Sequence, residues 1–296
     1  MTLSRRQTRA ICLFWGATVW PIAGVKADHT PARAGLPVRL ESAAGADPLR
    51  GATATAQTQV GLSARYLQFR PPAVIGARPP RQTHGLVNTL RGDYAFSPRL
   101  ALGVQLPALL TFGTGNSNTA AGLGDVGLGV RALPIISTSC QCTVDIRLNT
   151  RFPTGNKTLG FSAEQTITRA SSLYIQTLGP GRAWTISLGA GLSWAWSAQT
   201  NLVLDYGASG RYALLRWLGG YLDARAQTFL RDSPRNFNAL SQRRRGAGET
   251  AVVLSPGLSL RPVSGLWLAV GPQIPLTRVK DFDMGAALTA TYTPSF

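Results

Sequence analysis

The stretch Trp184–Trp196 (WTISLGAGLSWAW) decides the fold. Trp184, Ile186, Leu188, Ala190, Leu192, Trp194 and Trp196 share one parity; Thr185, Ser187, Gly189, Gly191, Ser193 and Ala195 share the other. Successive side chains of a strand point to opposite faces, so this stretch presents one apolar face and one small, largely polar face. Its tryptophans match the aromatic girdles that a membrane-spanning strand places at the two lipid–water interfaces. A strand of a soluble sandwich alternates too, but seldom for so long with aromatics at both ends.

The same period runs through most of the chain. Val144, Ile146, Leu148 and Phe152 oppose Asp145, Arg147, Asn149 and Arg151. Leu202, Leu204, Tyr206, Tyr212 and Leu214 oppose Asp205, Ser209 and Arg211, and Leu218, Leu222, Ala224 and Leu230 oppose Asp223, Arg225, Gln227 and Arg231. Near the C-terminus Met284, Leu288, Ala290, Tyr292 and Phe296 oppose Thr289, Thr291 and Thr293. No Lys or Arg takes the apolar parity in these strands, where each would cost about 2 to 4 kcal/mol at the bilayer midplane. Twelve segments follow, near 52–69, 84–96, 100–112, 122–135, 142–152, 166–178, 182–197, 200–215, 216–231, 249–261, 265–277 and 283–296. The segment at 166–178 is poorly patterned and leaves its facing open. An even number returns the last strand to the side of the first, and the connections alternate between short turns and longer or more polar loops, with 197–199 as the short exception. The fold expected is all-β: a closed antiparallel transmembrane β-barrel of about 12 strands, spanning 52–296.

Composition agrees with sheet. Of 296 residues 44% are apolar and only 15% charged, and Gly reaches 32 while Met falls to 2. Beyond residue 27 no unbroken run reaches the roughly 18 to 20 apolar residues of a transmembrane helix. Residues 1–27 read as a cleaved signal peptide, with Arg5, Arg6 and Arg9 before the apolar run Ala10 to Val25 and a small residue, Ala27, at the cut. Residues 28–51, rich in Pro, Ala and Gly, read as a flexible periplasmic leader. Cleavage removes Arg5, Arg6, Arg9 and Lys26, taking the formal charge from +17 to +13. So basic a chain would ordinarily raise nucleic acid as a partner. An exported one meets instead the bacterial outer membrane, its lipopolysaccharide phosphates and anionic solutes. Phe296, with Tyr292 on the same face, resembles the C-terminal signal read by the outer-membrane assembly machinery.

Catalytic and metal chemistry find little footing. Cys140 and Cys142 with His29 and His84 do not make a zinc ligand set, so no metal and no cofactor is expected. The two cysteines are either a local disulfide or free thiols. A triad of His84, a serine and Asp93 is opposed by parity, since His84 shares the face of Leu86 and Leu90 while Asp93 shares that of Arg91. No G-x-S-x-G motif occurs, and the chain is not expected to be an enzyme. Gly122 to Arg131 (GLGDVGLGVR) has the glycine density of a dinucleotide loop, but the period of two continues through Val130 and no helix-forming run follows.

Gly122 to Arg131, followed one strand later by Phe152-Pro153-Thr154-Gly155, resembles the outer-membrane transporter family named for the meta-pathway of phenol degradation. The resemblance covers about residues 84 to 296 and departs from the family in the Arg-rich connection 232–248 and the paired cysteines. It implies a barrel that transports small solutes, loosely associated with aromatic compounds.

On this facing the interior receives Arg65, Arg91, Arg131, Arg147, Arg151, Arg211, Arg225 and Arg231, against Asp93, Asp125, Asp145, Asp205 and Asp223. An arginine-rich lumen favours anions in a pore. The alternative is that opposite charges pair across strands and plug the barrel, leaving a structural or binding role. A lipid-acting barrel enzyme is the third reading. Arg243, Arg244 and Arg245 fall in an outer loop, where guanidinium groups are suited to lipopolysaccharide phosphates.

Overall fold

The computed structural model describes residues 56–69, 83–113, 119–137, 139–156, 161–162, 165–179, 183–196, 202–215, 217–231, 247–277 and 282–293. The expected signal peptide and leader, the three arginines at 243–245 and the C-terminal Phe296 lie outside them. Among the described residues, thirteen strand segments form one antiparallel sheet that closes on itself. They are β1 (Gln59–Phe69), β2 (Thr83–Ser97), β3 (Leu100–Gly113), β4 (Ala120–Leu123), β5 (Gly127–Ser137), β6 (Cys142–Arg151) and β7 (Thr166–Leu178). After these come β8 (Trp184–Trp196), β9 (Leu202–Ala213), β10 (Leu218–Phe229), β11 (Thr250–Val263), β12 (Leu266–Pro275) and β13 (Met284–Tyr292). Closure is made by β1, which pairs with β13 on one side and β2 on the other. Because β4 and β5 lie end to end along β3, thirteen segments make twelve strands around the ring.

The outer face is the apolar one. Leu102, Val104, Leu148, Leu188, Leu222 and Leu288 are all exposed, while their strand neighbours of opposite parity are buried or half-buried. Water would penalise so continuous an apolar belt, and lipid would not. Aromatic side chains edge the belt. At the end bearing the short turns, Tyr94 packs edge-on to Phe96 and Trp184 against Tyr212. At the other end His84 stacks between Tyr66 and Phe112, with ring centroids 5.8 and 5.4 Å away. Tyr66 Oη and His84 Nδ1 lie 2.6 Å apart in a hydrogen bond.

Three departures from the sequence reading have physical causes. Residues 122–135 are not one continuous strand. Gln105 pairs with Gly127 and Ala108 with Leu123, so Leu106 and Pro107 face three residues, Gly124 to Val126. Pro107 has no N–H to give a ladder, and the extra residue is accommodated there as a bulge. The facing therefore inverts: Leu123 is exposed before the break, Leu128 and Val130 after it. Second, β7 is poorly patterned because its inner face is partly aliphatic. Ile167, Leu173 and Ile175 are buried there, while Ser172, Tyr174 and Leu178 face out. Third, the strands are shorter than expected at the chain ends, β1 beginning at Gln59 and β13 stopping at Tyr292. Ala56 precedes β1 inside the short-turn mouth, packed with Ala101 and Leu133.

Cys140 and Cys142 are joined as a disulfide in the turn between β5 and β6, with Gln141 between them in the left-handed region at φ 49°.

Candidate functional site

The interior is where polar chemistry is gathered. Asp145, fully buried on β6, accepts from Arg131 Nε of β5 at 2.9 Å and from Arg147 Nη2 at 2.5 Å. The two arginines are adjacent in register across β5 and β6, so one carboxylate serves both. Asp93 accepts from Arg91 Nε at 3.0 Å and from Gln59 Nε2 at 2.7 Å. Asp205 collects groups from three other strands: Ser193 Oγ at 2.8 Å, Gln227 Nε2 at 2.7 Å and the Arg169 guanidinium at 3.4 Å. Asp223 is paired with Arg225 two residues along β10. Ionised groups can be this deeply buried because each is met by an opposite charge or a donor.

Asp125 is part of the wall itself. It is buried in the bulge between β4 and β5, and its Oδ1 accepts from Gly155 N at 2.9 Å. The loop Phe152–Asn156 stitches that break in the wall. Phe152 N donates to Val126 O at 2.9 Å, Val126 N donates to Thr154 Oγ1 at 2.9 Å, and Asn156 N donates to Leu123 O at 3.3 Å. A Cβ on Gly155 would stand 2.5 Å from Phe161 O and 2.9 Å from Gly124 C. The G-x-G-D and P-T-G motifs are thus two halves of one joint.

That joint carries Phe161 inward. Phe161 and Phe282, from the loops after β6 and β12, are buried with Leu67, Val87 and Leu109 in an apolar cluster inside the loop end. Asp283 N donates to Gln68 O at 2.8 Å beside it.

Arg65 on β1, Arg151 on β6 and Arg211 on β9 lie on the inner parity and are half-buried. Arg231 lies beyond β10 and is exposed. His84 is on the outer face, so the structure does not bring it to Asp93, which is buried on the inner one. The sequence reading misses Arg169, because the mixed faces of β7 hide its parity. It also misses Trp267 and Arg261. Trp267 could have been placed inside by noting that Val270, Pro272, Ile274 and Leu276 share the opposite parity.

No family model and no curated protein matches the chain, so the resemblance to the phenol meta-pathway transporters rests on its short motifs alone. Solved structures do match. An outer-membrane channel from Pseudomonas putida F1 superposes with a TM-score of 0.60 at 14% identity, covering 82% of this chain and 98% of that one. The translocator domain of the autotransporter NalP from Neisseria meningitidis gives 0.51 at 10% identity, covering 97% of each chain. The β domain of the Bordetella autotransporter BrkA gives 0.50 at 11% identity, covering 81% of this chain and 100% of that one. At such identities the shared property is the fold, that of the bacterial outer-membrane β-barrel.

Proposed function

We propose that the barrel is a passive outer-membrane channel for small anionic solutes, aromatic acids among them, and that it is not an enzyme. The observation that carries this is the charge of the inner face. Arg65, Arg91, Arg131, Arg147, Arg151, Arg169, Arg211 and Arg225 stand there against Asp93, Asp125, Asp145, Asp205 and Asp223. The surplus is positive, and rings of arginine favour anions in a pore. Twelve strands lie between the small barrels that side chains fill and the wide ones that hold an aqueous channel. The channel from Pseudomonas putida F1 has the same fold. The non-enzymatic reading is supported by the position of His84, whose ring is engaged by Tyr66 and Phe112 on the outer face.

A second reading, a plugged structural or binding barrel, draws on Phe161 and Phe282 folded inside the loop end. Planar-bilayer recording separates the two. The channel reading expects unitary current steps and, in a salt gradient, a reversal potential displaced toward that of the anion. A reconstituted, folded barrel that gives no steps would be the plugged form, and cation preference would overturn the choice of solute class.

A further inference from the structure

Arg131, Arg147, Arg91, Arg169 and Arg225 each face a carboxylate. Arg211 and Arg261 have no acidic partner among the described residues. Both instead stack on one indole: Arg211 Cζ lies 4.1 Å and Arg261 Cζ 5.2 Å from a Trp267 ring centroid. Trp267 is on the inner parity of β12, near the short-turn end, and Arg211 stands on β9, so its side chain crosses the two strands between.

The crossing is built into the wall. In register across β10 and β11 the positions beneath are Gly219 and Ser259. A Cβ on Gly219 would lie 3.3 Å from Arg211 Nε and 3.0 Å from Ser259 Oγ. Ser259 is fully buried and turns its hydroxyl onto the Gly219 carbonyl at 3.3 Å, which keeps it low under the guanidinium. Arg211 Nε is buried and donates no hydrogen bond. Arg261 is exposed at the rim, so the pair remains open to solute. Two guanidinium groups repel one another, and the indole face compensates only in part. A planar oxyanion placed between them would accept from both and cancel the repulsion.

We infer that Arg211, Arg261 and Trp267 form an oxyanion-binding site at the short-turn mouth of the barrel, taking a carboxylate or a phosphate. The inference deepens the channel reading and rests on it for any part in transport, but binding is measurable without transport. The full chain, folded in detergent, would be titrated calorimetrically with benzoate and with inorganic phosphate. Folding of each variant would be checked by its heat-modifiable migration on gels. The wild type should bind at least one anion saturably, and the preferred one distinguishes carboxylate from phosphate. Arg261→Gln should weaken binding about tenfold, the loss expected for one charge-assisted hydrogen bond. Arg211→Gln should do the same, and Trp267→Leu should weaken it less. Should the Arg211 variant not fold, exposed Arg261 carries the test alone. A wild type that binds neither anion, or folded variants that bind as it does, would overturn the site. A barrel that conducts without binding spares the channel and removes the site; one that binds without conducting does the reverse.

Discussion

Asp145 is the residue on which the inner wall of β5 and β6 most depends. It is buried between two guanidinium groups, and each is itself nearly buried. Replacing the carboxylate removes the charge that both guanidinium groups meet, and breaking a buried pair from one side costs about 3 to 5 kcal/mol. Asp145→Asn is therefore expected to lower the urea midpoint of the refolded barrel, whereas Asp145→Asn combined with Arg131→Met and Arg147→Met should recover most of it. A single variant as stable as wild type would mean that water reaches the site. Asp145 and Arg147 are legible from sequence because parity puts them opposite Ile146 and Leu148 on β6, and Arg131 because it alternates with Leu128 and Val130 on β5. Arg169 is not, since Ile167, Leu173 and Ile175 place aliphatic groups on its own face. A rule that sorts faces by polarity fails where the interior itself is apolar. The Phe161 and Phe282 cluster escapes for a related reason: loops carry no period, and their inward turn is fixed by tertiary contacts.

The clearest element is β8, whose alternation runs over its whole length and whose ladder to β7 and β9 is unbroken. The joint between β4 and β5 is the opposite case. Glycines at 122, 124, 127 and 129 keep the period of two plausible on paper, and only the break in pairing at Leu106 and Pro107 shows where a residue is extra. The disulfide Cys140–Cys142, one of two readings left open by spacing, lies in the short turn that follows. Gly155 offers a direct probe of the joint. Its close approach to Phe161 O and Gly124 C leaves no room for a methyl, so Gly155→Ala must push the loop off the bulge. Overpacking of this kind costs about 1 to 3 kcal/mol. The expected result is faster proteolysis within 152–165 while the strand core stays protected. Unchanged cleavage in the variant would mean that the loop is not held by this contact.

The ring as a whole follows from elementary constraints: backbone groups in lipid must be satisfied internally, and a sheet achieves this only by closing. Pairing of β1 with β13 provides that closure. The turns after β2, β5, β7, β9 and β11 fall at one end and the other connections at the opposite end, most of them longer as the alternation of loop lengths predicts, with 197–201 the short exception. Export and the C-terminal aromatic signal concern residues outside the described ones and stand as expectations. The central claim, that one parity of each strand meets lipid and the other the interior, can be read along β8. With Cys140 and Cys142 bonded to each other, single cysteines at 184–196 can be labelled with a fluorophore in the reconstituted barrel and quenched by nitroxide lipids. Strong quenching at the even positions and weak quenching at the odd ones, alternating along the whole strand, is the result the barrel predicts. Quenching that is uniform, or that repeats every three to four residues as on a helix, would contradict it.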